Sequence, residues 1–230
     1  MNMKFETKYN RILLLIIYTI LFFVIAIYGA GFVFKVIDVF TISILTLFIF
    51  KYKDYNSFLK IRCSLLNCTL LIVTAISLAF LGNAIYARGD EFNYVMQQRY
   101  EYSPFSLFGL FVLSPVIEEL LYRKYWFRFL TEKHKRVVSI ILISLVFSLT
   151  HIFGEIPLII PFISSIFLFW IYNKTQNISL CVLWHIVFNI TSFYSPAFFT
   201  IDNIGNLKML SLVVSLLSLL LLFFSFKRNE

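Results

Sequence analysis

The side chains best suited to chemistry are a carboxylate pair, Glu118 and Glu119 in SPVIEELLYR, a histidine in LVFSLTHI, His151, and two groups in LWHIVFNI, His185 and Asn189. All five stand within apolar runs. A charged side chain at membrane depth costs on the order of 3 kcal/mol on insertion scales, so such residues face a bundle interior or a watery cavity and mark function. A Glu and a His can together hold and deprotonate a water, while a second His and an Asn can stabilise the oxyanion formed when that water attacks a carbonyl. These groups suffice for peptide hydrolysis. Glu and two His are also competent zinc ligands with water in the fourth position. Glu118, His151 and His185 are therefore candidate ligands of a divalent metal such as zinc, and a metal-free route stays open beside it.

The spacings fit helical faces. Glu119 and Arg123 are four apart and meet on one side of a helix, while Glu118 points about 100° away and escapes that partner. Phe147 and His151 repeat the interval, which lets the aromatic ring pack beneath the imidazole and fix its direction. His185 and Asn189 repeat it again, presenting two hydrogen-bonding groups on one face. Each has a plainer reading. A single intramembrane histidine is more often an interhelical hydrogen bond than a catalyst, and Glu119 with Arg123 reads as a structural ion pair. The conjunction of three segments favours chemistry over packing. His134 stands in the basic stretch TEKHKR and reads as solvated.

The elements that must position these groups are membrane helices. The chain of 230 residues is 60% hydrophobic and 14% charged, against about half and a quarter for a soluble domain. Eight apolar stretches can be marked, at 12–34, 36–50, 65–85, 105–121, 137–153, 158–172, 178–194 and 209–226. The reading is an all-α, polytopic membrane protein of about eight transmembrane helices, one integral domain over 1–230 with a catalytic core at 105–194. The net charge of +8 lies in short connections between apolar runs. It signals topology, not nucleic-acid binding. Every basic cluster falls on one side of an eight-span arrangement, which by the positive-inside rule is the cytoplasm and holds both termini. The N-terminal apolar run is too long for a cleaved signal and reads as the first span. Cys63, Cys68 and Cys181 lack metal or disulfide spacing and read as packing residues. For Glu118 to reach the depth of His151, the fourth helix must continue to about Leu130, tilted, with Arg123, Lys124 and Arg128 snorkelling toward water.

These motifs resemble those of the CPBP family, the CAAX-protease and bacteriocin-processing intramembrane proteases, also called the Abi family. Its E-E-x-x-x-R motif is matched by Glu118, Glu119 and Arg123, its F-x-x-x-H by Phe147 and His151, and its H-x-x-x-N by His185 and Asn189. The motifs occur in the family's order on separate segments. The resemblance implies a CAAX prenyl endopeptidase-like bundle, with Glu118 and His151 activating water, His185 and Asn189 binding the oxyanion, and Glu119, Arg123 and Phe147 supporting them. It implies a metalloprotease or a metal-free glutamate mechanism.

The function expected is hydrolysis of a peptide bond in a membrane-associated or short exported peptide, with the lipid bilayer as the other partner and no nucleic acid. The chain carries neither G-x-S-x-G nor H-E-x-x-H, which disfavours serine-type and zincin-type chemistry. Its short length and Lys/Ile/Phe-rich usage point to a bacterial plasma membrane. The main rival is a non-catalytic protein of the same fold that gives bacteriocin self-immunity or binds a peptide. A small transporter with a proton relay is the third reading, disfavoured by the lack of paired broken helices in two halves. Spacing leaves the oligomeric state undetermined.

Overall fold

The computed structural model describes residues 63–86, 102–152, 157–199 and 203–228, and among them all regular structure is helical. The apolar stretches at 12–34 and 36–50 lie outside the described residues. Each of the other six is occupied by a helix. We label these α1 (Leu65–Tyr86), α2 (Pro104–Phe108), α3 (Ser114–Glu119), α4 (Phe127–Thr131), α5 (Arg136–Leu149), α6 (Ile159–Thr175), α7 (Ile178–Tyr194) and α8 (Ile204–Arg228). Two π-helical segments, Gly109–Leu113 and Leu120–Trp126, join α2, α3 and α4 into one uninterrupted helical rod over 104–131. The continuation toward Leu130 is therefore present. Leu65–Ile85, Ile178–Phe198 and Ile204–Phe226 are long and apolar enough to cross a membrane. The chain is a helical membrane protein.

Local chemistry explains why the rod changes pitch. Pro115 has no N–H to give, and the Ser114 N–H reaches back five residues to the Gly109 carbonyl, the bond of a π turn. The Leu110 carbonyl, which would take an N–H from Ser114 in an α-helix or from residue 115 in a π-helix, is left without either donor. The second π segment closes in the same way, with the Phe127 N–H on the Tyr122 carbonyl. Such widened turns concentrate at functional sites, and here they bracket Glu118 and Glu119.

The core has two parts. Leu71, Ala75 and Ala79 of α1 pack with Leu168 of α6, Trp184 of α7 and Leu222 of α8. Small residues allow the close approach of α1 and α8: Ser211, Ser215 and Ser218 line the buried side of α8, and Ser225 donates to the Asn67 Oδ1 of α1. At the other end of α1, Asn83 Nδ2 donates to the Ser192 carbonyl at 2.8 Å and to Ser195 Oγ at 2.6 Å, tying α1 to the end of α7. Interhelical bonds of this kind are the glue of membrane bundles. The second part, around Ile117, Leu121, Tyr122, Phe127, Ile143, Phe147 and Phe169, joins the rod to α5 and α6.

Two helix ends matter for the site. α5 stops at Leu149, short of the apolar stretch that runs to residue 153, so His151 lies in a turn beyond the helix and not within it. The reason is competition for the last carbonyls. Thr150 Oγ1 donates to the Phe147 carbonyl at 2.6 Å, and the His151 N–H bonds three residues back, to Ser148, at 3.0 Å. α6 ends on Gln176, whose left-handed φ of 50° reverses the chain, and Asn177 caps α7 by accepting the Ser179 N–H on Oδ1 at 3.0 Å. A non-glycine residue in that conformation and an N-cap immediately after it make a tight α6–α7 hairpin. The three cysteines are free thiols. Cys63, just before α1, has its thiol pushed up to about 12 by burial and by the neighbouring Cys68 thiol, as suits a packing residue and not a reactive one. His134 is exposed in the turn before α5.

Candidate active site

The rod turns Glu118 and Glu119 into the bundle, where both are buried, Glu119 completely. Arg123, one helical turn on, is also completely buried. Its Nη1 donates to Glu119 Oε1 at 3.1 Å and its Nη2 to Ser165 Oγ of α6 at 3.0 Å. The guanidinium plane lies over Phe147, at 4.8 Å, and Phe169, at 5.2 Å. Arg123 therefore does not snorkel, contrary to the expectation for the basic run after the fourth span. A planar cation that finds a carboxylate, a hydroxyl and two aromatic faces is better satisfied inside than at the interface.

Glu119 has a second partner that spacing could not reveal. Its Oε1 lies 2.8 Å from His185 Nδ1 of α7. A carboxylate accepts, so Nδ1 carries the hydrogen and donates. That bond fixes the ring and turns Nε2 toward the other glutamate, with His185 Nε2 at 3.8 Å from Glu118 Oε2. Glu118 Oε1 accepts the Ser114 hydroxyl at 2.5 Å, while its Oε2 is buried with no hydrogen-bond partner among the described residues. Hydrogen bonds run from Ser165 through Arg123 and Glu119 to His185, and a 3.8 Å gap separates that relay from the Glu118–Ser114 pair. As expected from spacing, Glu118 is not engaged by Arg123.

The same logic orients His151. Its Nδ1 lies 2.9 Å from the Phe147 carbonyl, which can only accept, so Nδ1 is the donor and a neutral ring keeps its lone pair on Nε2. Phe147 supports both imidazoles: its ring centroid is 4.9 Å from that of His151 and 6.0 Å from that of His185. Tyr122 of the rod meets the same ring edge-on at 5.4 Å. No hydrogen bond or ion pair joins Glu118 to His151; Phe147 packs against His151 and against His185, the neighbour of Glu118. Asn189, one turn beyond His185, directs Nδ2 to the Leu110 carbonyl at 3.5 Å, the oxygen orphaned by the π turn and Pro115.

Among the described residues no three His, Cys, Asp or Glu side chains stand close enough together to hold a metal ion. Glu118, His151 and His185 are thus not assembled as a ligand set in this arrangement. Glu118 Oε1 is committed to Ser114 and the Nδ1 atoms of both histidines to oxygen acceptors, which leaves Glu118 Oε2 and the two Nε2 atoms as the groups open to a further partner.

Ser114, Ser165 and Phe169 escaped the sequence reading. Ser114 carried a usable signal, since it stands four before Glu118. Ser165 and Phe169 carried none, because tertiary packing alone brings them from 42 or more residues away to Arg123.

Residues 101–191 match the family model of the Rce1-like type II CAAX prenyl endopeptidases. No curated protein and no solved structure matches the chain. Glu118, Glu119, Arg123, Phe147, His151, His185 and Asn189 all fall inside the matched segment, so the part of the chain that carries the three motifs is similar to the CAAX-type membrane proteases.

Proposed function

We propose that the chain is an intramembrane endopeptidase that hydrolyses a peptide bond through a water activated by Glu118 and His151, without a covalent intermediate and without a resident metal. The observation that carries this reading is Glu118 Oε2, a buried carboxylate oxygen with no partner among the described residues, whose sister oxygen is held by Ser114. An unpaired acceptor in a low-dielectric setting is costly unless a ligand or water meets it. The lone pair on His151 Nε2 supplies the second acceptor for the same water.

The charge count assigns the remaining roles. Two buried carboxylates face one guanidinium, so a further proton on His185, whose Nε2 lies 3.8 Å from Glu118 Oε2, would bring the cluster to neutrality. With that proton on Nε2, His185 donates through Nδ1 to Glu119 and through Nε2 to the oxyanion, as the Asn189 amide does beside it. Glu118 takes the proton of the attacking water and returns it to the leaving amine. Glu119 is the counter-charge that holds His185 in this state.

The eight-span arrangement, with both termini in the cytoplasm of a bacterial cell, belongs to the same proposal, as does a substrate drawn from membrane-associated or short exported peptides. The test uses the full chain in proteoliposomes with a library of membrane-anchored fluorogenic peptides. Glu118→Gln and His151→Ala should each lower cleavage by roughly 10²- to 10⁴-fold at equal protein levels. Full cleavage by Glu118→Gln would falsify the mechanism. Peptide binding without cleavage by the wild type would make the chain a binding or self-immunity protein.

A further inference from the structure

Serine and threonine hydroxyls inside helices usually bond back to the carbonyl four residues earlier. Thr69, Thr74, Thr131, Thr175 and Ser215 all do so here. Ser114 does not: its Oγ donates forward to Glu118 Oε1 at 2.5 Å, the length of a charge-assisted O–H···O bond. Its ordinary acceptor, the Leu110 carbonyl, is instead met by the Asn189 amide. Both departures arise at one π turn.

We infer that Ser114 is a positioning residue that assigns different tasks to the two oxygens of Glu118. This rests on Glu118 being the base. A hydroxyl that donates to Oε1 occupies a lone pair there, so the proton taken from water goes to Oε2, the oxygen nearer His185 Nε2. The bond also removes the rotation of the carboxylate about its last torsion, which is otherwise broad and roughly two-fold. Without it, either oxygen could turn toward the water and the other would be buried unpaired. In this scheme Ser114 needs no contact with water or substrate. It acts through Glu118.

The test compares wild type, Ser114→Ala and Ser114→Thr as full-length chains in nanodiscs, by infrared spectroscopy with carboxyl-labelled glutamate. Subtracting Glu118→Gln isolates the Glu118 carboxylate band. The expected result is a shifted band in Ser114→Ala, restored in Ser114→Thr. On a cleaved reporter peptide, kcat should fall roughly 10- to 100-fold in Ser114→Ala with KM within about twofold, and recover in Ser114→Thr. An unmoved band in Ser114→Ala overturns the inference, as does a moved band with unchanged kcat. If the wild type cleaves no reporter, the hydrolase reading fails on that result, while the band alone decides whether Ser114 orients Glu118.

Discussion

Glu119 and Arg123 illustrate how a buried ion pair can serve geometry more than stability. Each charge has been taken fully out of water, and replacing such a pair by apolar residues is often neutral, whereas removing one partner strands the other. Arg123→Ala or Glu119→Ala should therefore each cost on the order of 3–5 kcal/mol, measured as loss of thermal stability in detergent micelles. The double variant should lose less than the two single losses together, by on the order of 1–3 kcal/mol, because neither orphan remains. Glu119→Gln should unfold later than Glu119→Ala, since an amide oxygen still accepts from His185 Nδ1. At this scale the sequence was informative about pairs four apart: Glu119 with Arg123 and Phe147 with His151 meet as spacing indicates. It was silent on Glu119 with His185, which are 66 residues apart and joined only because α7 packs against the rod. Periodicity describes one helix at a time, and a relay across helices leaves no trace in it.

Among the described residues hydropathy found where helices are but not where the rod and α5 end, although the depth argument for Glu118 carries the rod to about Leu130. The rod runs to Thr131 through a basic, aromatic stretch because Arg123 is satisfied inside and the aromatics pack on α5 and α6. α5 stops early because the hydroxyl of Thr150 takes a carbonyl, a local event that apolar content does not report. The π turns were equally hidden, although Pro115 is the visible cause of the first. Between α1 and α8 the serines on the buried side set the separation. Ser215→Leu, at a position 2% exposed, should wedge the helices apart and destabilise the protein by about 1–3 kcal/mol, while Leu216→Ala on the exposed side should change little. Thermal unfolding in micelles reads both. Equal losses would mean that α8 does not present Ser215 to the bundle.

For the molecule as a whole, the arrangement of charge makes a prediction about topology. Fluorescent fusions that fold only in the cytoplasm should light up at both the N- and the C-terminus; one bright and one dark terminus would refute an even number of spans, and two dark ones the cytoplasmic orientation. A second whole-molecule effect follows from where α5 stops. Its 14 residues span about 21 Å at roughly 1.5 Å per residue, against a hydrocarbon layer about 30 Å thick. As a membrane span, a helix that short would create hydrophobic mismatch, which a bilayer meets by thinning at a cost of a fraction of a kcal/mol per ångström. Thinning would bring headgroups and bulk water down to the turn that carries His151. Lipid acyl length then becomes a control on the reaction: cleavage should be faster in vesicles of short-chain phosphatidylcholine than in long-chain ones at equal protein density. The membrane would act as a component of the water-delivery path, tuned by its own thickness.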